Sequence, residues 1–126
     1  MGSKTHDARE DKMDSKMNQV LINLLAFRRD RDWEKFHSPR NLSISISIEA
    51  AELLEKFQWQ IGEIPITSQL KEEAEKEIAD IFIYLLLISN DIGIDLLEVT
   101  RMKIEENKKR YPVEKAYGKA TKYNKL

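Results

Sequence analysis

Leu42-Ser-Ile-Ser-Ile-Ser-Ile48-Glu49-Ala-Ala-Glu52-Leu-Leu-Glu-Lys-Phe57 is the stretch on which the fold turns. Its first seven residues alternate apolar and polar with period two, the mark of a half-buried strand. They run without Gly or Pro into Glu-Ala-Ala-Glu-Leu-Leu-Glu-Lys-Phe, which is strongly helical. A lone seven-residue strand in a chain otherwise rich in Lys, Glu, Leu and Ile would find no partner for its backbone groups. The stretch therefore reads as one helix, N-capped at Asn41 and running to about Gln60, and the fold class as all-α.

Other segments agree. Met17, Leu21, Leu24, Leu25 and Arg28 stand at helical spacing, predicting a first helix from about Asp14 to Arg31, before Pro39 breaks the chain. Gly62 and Pro65 mark a loop. Thr67 or Ser68 can cap a third helix running to about Asp91, with Gly93 as its stop. Asp95 with Glu98 fits a capping box for a fourth helix that ends before Pro112. Residues 1–12 are polar and aperiodic and read as a disordered leader. Residues 13–112 read as one antiparallel four-helix bundle and residues 113–126 as a basic tail.

Composition narrows the chemistry. The 126 residues contain no cysteine, which excludes a disulfide scaffold, a thiolate zinc site and a cysteine nucleophile. Two histidines argue against a multi-histidine metal site. The longest uncharged apolar run, Ile81–Ile88, is too short to span a bilayer, so a soluble cytoplasmic protein without membrane contact is expected. Lys+Arg number 21 and Asp+Glu 22, giving a net charge of −1. That near-neutrality hides nine Lys/Arg against three Glu from Arg101 to Leu126. A basic tail can bind nucleic acid, but no nucleic-acid motif accompanies it, and an anionic small molecule held on the acidic part suits it equally. Long Leu/Ile-rich stretches such as Ile81–Ile92 exceed what one small bundle buries, which predicts an obligate oligomer, a dimer at least.

Two carboxylate pairs stand out. Glu49-Ala-Ala-Glu52 lies on the second helix and Glu77-Ile-Ala-Asp80 on the third, each with i,i+3 spacing that sends both acids from one face. At about 100° per residue, Leu42, Ile46, Leu53 and Phe57 form an apolar arc with Glu49 and Glu52 directly beside it. Leu70, Ala74, Ile81, Leu85 and Ile88 do the same for Glu77, Asp80 and Tyr84. Four carboxylates drawn toward one interior repel each other and lose hydration, which protonation or a cation relieves. Hard oxygen ligands without His or Cys suit Mg²⁺, with Mn²⁺ possible, and Mg²⁺ commonly binds phosphates through its remaining sites. The plainer reading pairs these acids with Lys or Arg, Lys56 being the natural partner of Glu52, or leaves them rimming the bundle in water.

These residues resemble the E-x-x-E…E-x-x-D signature of the MazG-like nucleoside triphosphate pyrophosphohydrolases. Further segments are similar to the dCTP pyrophosphatase branch: Arg31-Asp-Trp-Glu-Lys-Phe-His37-Ser-Pro-Arg-Asn41, Phe57-Gln-Trp59, Ile83-Tyr84-Leu85 and Asn107-Lys-Lys-Arg-Tyr-Pro112. The resemblance spans about Val20 to Tyr123. It implies an all-α bundle assembling as homodimer or homotetramer, which splits a nucleoside triphosphate into monophosphate and diphosphate with Mg²⁺. It also implies Glu49, Glu52, Glu77 and Asp80 as catalytic metal ligands and Trp33, His37, Trp59 and Tyr84 as the base pocket. Lys103, Asn107, Arg110 and Tyr111 are implied to approach the phosphates or sugar. The Ser/Ile alternation at 43–48 stands where that branch has a plainer apolar helix. A non-catalytic nucleotide-sensing or oligomerisation module on the same fold is the alternative, and retention of all four acids speaks for the enzyme.

Overall fold

The computed structural model of the protein describes residues 8–60 and 65–126, and no strand occurs among them. Residues up to Gly93 form one compact unit and Ile94–Leu126 another. The first holds α1 (Ala8–Asp30), a 3-10 turn (Glu34–Phe36), α2 (Pro39–Phe57) and α3 (Ser68–Asp91). The second holds α4 (Leu96–Arg110), α5 (Val113–Ala116) and a 3-10 turn (Tyr123–Lys125). The expected loop glycine, Gly62, lies outside the described residues.

α1 begins at Ala8, so residues 8–12, assigned to a disordered leader from their polarity, are helical. Its close is a two-bond cap. The Asp32 N–H donates to the Arg29 carbonyl at 3.0 Å and the Trp33 N–H to the Arg28 carbonyl at 3.1 Å. This is the Schellman arrangement, and its left-handed position is filled by Asp32 at φ 53 where glycine would be unstrained. The apolar contact that accompanies such caps is present, with the Phe27 and Trp33 rings edge to face at 5.6 Å.

The Ser/Ile stretch is helical throughout. Pro39 starts α2 rather than breaking the chain, because proline's missing N–H is harmless at the first helical position. The cap is Ser38, not Asn41: the Ser38 hydroxyl accepts from the Asn41 N–H at 3.1 Å, while the Asn41 amide donates to the Phe36 carbonyl at 3.0 Å. Two serine hydroxyls are absorbed by the helix itself, Ser43 donating to the Pro39 carbonyl and Ser47 to that of Ser43. Period two thus loses to helical continuity. Thr67 caps α3, and Gly93 takes the left-handed stop after it at φ 75, both as the sequence predicts.

α2 and α3 are the packed pair of the first unit. His37, just before α2, lies in the field of Asp91, the last residue of α3, while Glu49 and Glu77 meet at mid-helix. The two helices are therefore antiparallel. Most of the core lies where α2 begins and α3 ends, where Leu42, Leu86 and Leu87 are buried with Ser89, while Ala74 is buried near the start of α3. Leu86, outside the apolar arc read from the sequence, is buried because α3 packs against α1 as well as α2. In the second unit the Asp95 side chain accepts from the Glu98 N–H at 3.1 Å, capping α4 as expected. The chain after α4 folds back on it, with Tyr111 edge to face with Tyr123 at 6.2 Å.

Candidate metal centre

Midway along the antiparallel pair, each helix turns its acids inward. Glu49 and Glu52 come from α2 and Glu77 from α3, and one carboxylate oxygen of each lies within 4.8 Å of the others. All three side chains are half-buried. Oε2 of Glu49 and Oε2 of Glu77 are buried without a hydrogen-bond partner. Lys56 forms no ion pair with Glu52, and among the described residues no cation pairs with any of the four acids. Asp80 is more exposed and stands outside the close trio, though its charge still acts on Glu49.

The electrostatic consequence falls on Glu49. Its carboxyl is pushed up to about 7, first by burial, then by the Glu77 and Glu52 side chains beside it and the charges of Glu52 and Asp80. Concentrated like charge with orphaned oxygens is costly for a fold and favourable for a divalent cation. The donor set consists of hard carboxylate oxygens only, which fits Mg²⁺ or Mn²⁺ and not a soft metal. Glu49, Glu52 and Glu77 therefore fit such an ion, with Asp80 one turn beyond Glu77 on the same face.

The residues expected around the base are distributed differently. Tyr84 is half-buried one turn after Asp80 on α3. Trp59 follows the end of α2 and is 82% exposed. Trp33 is 42% exposed and held by Phe27. His37 belongs to the far end of the pair, near Asp91. Eleven residues of α3, or about 16 Å, separate Asp91 from Asp80. Burial and the nearby Arg28 cation lower the His37 pKa, and its Nδ1 is buried without a partner. In the second unit Lys103 pairs with Glu106 at 3.4 Å, and Arg110 pairs with the same Glu106 at 2.7 Å. The Arg110 guanidinium also lies 4.8 Å from the Tyr123 ring centre, the Asn107 carbonyl accepts from the Tyr111 N–H at 2.8 Å, and all four residues are exposed.

One charged feature is missing from the sequence reading. Arg28 of α1 is buried and donates to Asp91 of α3 through both terminal nitrogens, each at 2.8 Å. The signal was available: Arg28 occupies a position of the apolar stripe of α1, and an inward arginine requires an acid.

Comparison with known proteins completes the picture. Residues 44–126 match the MazG-like family. Over 104 residues the chain is 38% identical to dCTP pyrophosphatase 1 of Bos taurus and 39% identical to that of Rattus norvegicus, covering 79% of this chain. It spans 62% and 61% of the length of those relatives. The crystal structure of a pyrophosphatase from Archaeoglobus fulgidus superposes with a TM-score of 0.69 at 42% identity, covering 77% of this chain and 93% of that one. Identity of this order, extending over nearly the whole of a solved homologue and joined to a direct family match, establishes that the chain belongs to the MazG-like family.

Proposed function

We propose that the protein is a Mg²⁺-dependent nucleoside triphosphate pyrophosphohydrolase. It converts a (d)NTP and water to (d)NMP and diphosphate, with dCTP or a related or modified deoxynucleotide as substrate, and cleans the cytoplasmic nucleotide pool. The observation that carries this is the uncompensated trio of Glu49, Glu52 and Glu77, two of whose oxygens are buried without partners. The name carried by the mammalian relatives supports the base preference.

Glu49, Glu52, Glu77 and Asp80 hold the ion. When bound, Mg²⁺ supplies the charge neutralisation that attack at the α-phosphorus and departure of diphosphate both demand. Glu49 or Glu52 orients the attacking water and accepts its proton. Trp33, Trp59 and Tyr84 offer ring faces to the base, each stacked base being worth about 1–3 kcal/mol, and His37 offers it a hydrogen bond. Lys103, Asn107, Arg110 and Tyr111 attend the phosphates and sugar. The same reading carries an antiparallel four-helix bundle assembled as a homodimer or homotetramer. It is supported by Ile44, Ile48, Leu54, Ile78 and Met102, all between 45% and 64% exposed. No described helix is long and apolar enough to cross a membrane.

A panel of NTPs and dNTPs with and without Mg²⁺, scoring diphosphate against orthophosphate, tests the reaction. Diphosphate with monophosphate, formed only with the metal and fastest from dCTP, is the expected result. Orthophosphate with nucleoside diphosphate would assign ordinary phosphatase chemistry instead. Light scattering tests assembly, and a stable monomer would refute it.

A further inference from the structure

Arg28 is the one buried residue of α1 among those described, and it is charged. The apolar residues of the same helix, Leu21, Leu24 and Leu25, are only half-buried. An apolar contact lets a helix slide or rotate at small cost, whereas a forked guanidinium on a carboxylate fixes both distance and angle. The Arg28–Asp91 pair thus sets where α1 ends relative to α3.

The turn after α1 is tied to Arg28. The Arg28 carbonyl receives the Trp33 N–H, Asp32 holds its left-handed conformation between them, and Phe27, adjacent to Arg28, meets the Trp33 ring edge to face. The Phe36 carbonyl is then taken by the Asn41 side chain at the start of α2. His37, between Phe36 and the Ser38 cap, sits in the fields of both Arg28 and Asp91. The turn bearing two candidate base-contacting residues, Trp33 and His37, is therefore tied to α3 on its α1 side by this ion pair, and on its other side it runs into α2.

We propose that Arg28 and Asp91 are positioning residues for substrate recognition: their bidentate pair fixes the Trp33–His37 turn in the geometry that receives the base. This rests on the proposed function, in which Trp33 faces the nucleoside. Neither residue touches the reacting atoms, and the metal centre is built from other side chains. The pair should therefore govern KM and base discrimination and leave kcat nearly untouched.

Removing one partner alone strands a buried charge and can unfold the protein. The test therefore replaces both, R28M/D91L, which removes the two charges together with the directional lock, beside Trp33→Leu and the combination of the two. The whole chain is assayed with dCTP and dTTP at saturating Mg²⁺. We expect R28M/D91L to raise KM for dCTP about tenfold, to narrow the preference between bases, and to hold kcat within about twofold. Added to Trp33→Leu it should cost nothing further, since a pair acting through Trp33 has nothing left to position. With Trp33→Phe as background, KM should respond as it does in the native chain, because an aromatic face remains. If R28M/D91L folds and leaves KM unchanged while Trp33→Leu raises it, the positioning role is overturned and the base pocket stands. A KM that does not respond to Trp33→Leu overturns both the pocket and the positioning role. A matched fall in kcat and Mg²⁺ affinity would make the pair a general structural tie and refute the proposal.

Discussion

The middle and the end of the α2–α3 pair both bury charge, and they do so in opposite ways. At the end, Arg28 and Asp91 neutralise each other through two bonds of 2.8 Å, and burial strengthens the match. In the middle, Glu49, Glu52 and Glu77 crowd like charges together, and two oxygens have no partner. The first arrangement meets each charge with an opposite one that the chain itself supplies, and leaves Arg28 Nε buried without a partner. The second leaves a deficit that only a proton or an external cation can meet. Uncompensated charge of that kind is a mark of binding sites, so the contrast makes the acidic trio the candidate for a cation and the Arg28–Asp91 pair a contact closed within the chain.

Breaking each region should give opposite results. Glu77→Gln is expected to reduce turnover by about a thousandfold, equivalent to about 4 kcal/mol of barrier, while urea denaturation of the metal-free protein shows no loss of stability. Asp80→Asn should likewise remove turnover with the helical circular dichroism spectrum intact. Asp91→Ala should behave in the reverse sense at the end of the pair, costing about 3 kcal/mol of stability by leaving the Arg28 cation unpaired. Mg²⁺ at about a hundred times its Kd should stabilise the native chain by about 2.7 kcal/mol, read as a rise in Tm that disappears in Glu77→Gln and survives any substitution at the end of the pair.

The two regions should also titrate with opposite sign. Glu49 is held at about 7 when folded, against an ordinary value of 4.5 in the unfolded chain. Its contribution to metal-free stability is full below about pH 4.5 and is lost as the pH rises toward 7. Mg²⁺ should flatten that decline and bind less tightly below neutrality, where it competes with the proton. The Arg28 hydrogen bonds hold Asp91 below the ordinary carboxylate range, so its contribution is present at neutral pH and is lost only as acid protonates it. Denaturation curves across pH with and without Mg²⁺ resolve both. The smallest effect is expected at Asp32→Gly, which relieves the left-handed strain at φ 53 and should add about 0.5 kcal/mol to stability by thermal melt.

Much of this was legible in the residues. The caps at Thr67 and Asp95, the stop at Gly93, and the helical continuity through Ser43–Ile48 follow from local chemistry that acts within a few positions. The inward aim of Glu49, Glu52 and Glu77 was legible for the same reason, since i,i+3 spacing beside an apolar arc fixes a direction on a helix. Three features were not legible. Ser38 displaced Asn41 as a cap because a proline at the first helical position moves the start of α2 forward. Residues 8–12 extend α1, because polarity alone does not forbid a helix. The exposure of Trp59 could not be read, because it lies in the turn beyond the end of α2, where helical periodicity no longer sets a face.

The sequence by itself determined that the chain is helical, where most helices begin and end, and that two of them carry acids paired at i,i+3 beside an apolar arc, because propensity, capping and periodicity act over a turn or two. Only the tertiary structure decided that α2 and α3 run antiparallel with three of those acids within 4.8 Å, and that Arg28 finds Asp91 across 63 residues. Partners so far apart in sequence are selected by packing and charge complementarity between helices, which no local rule encodes.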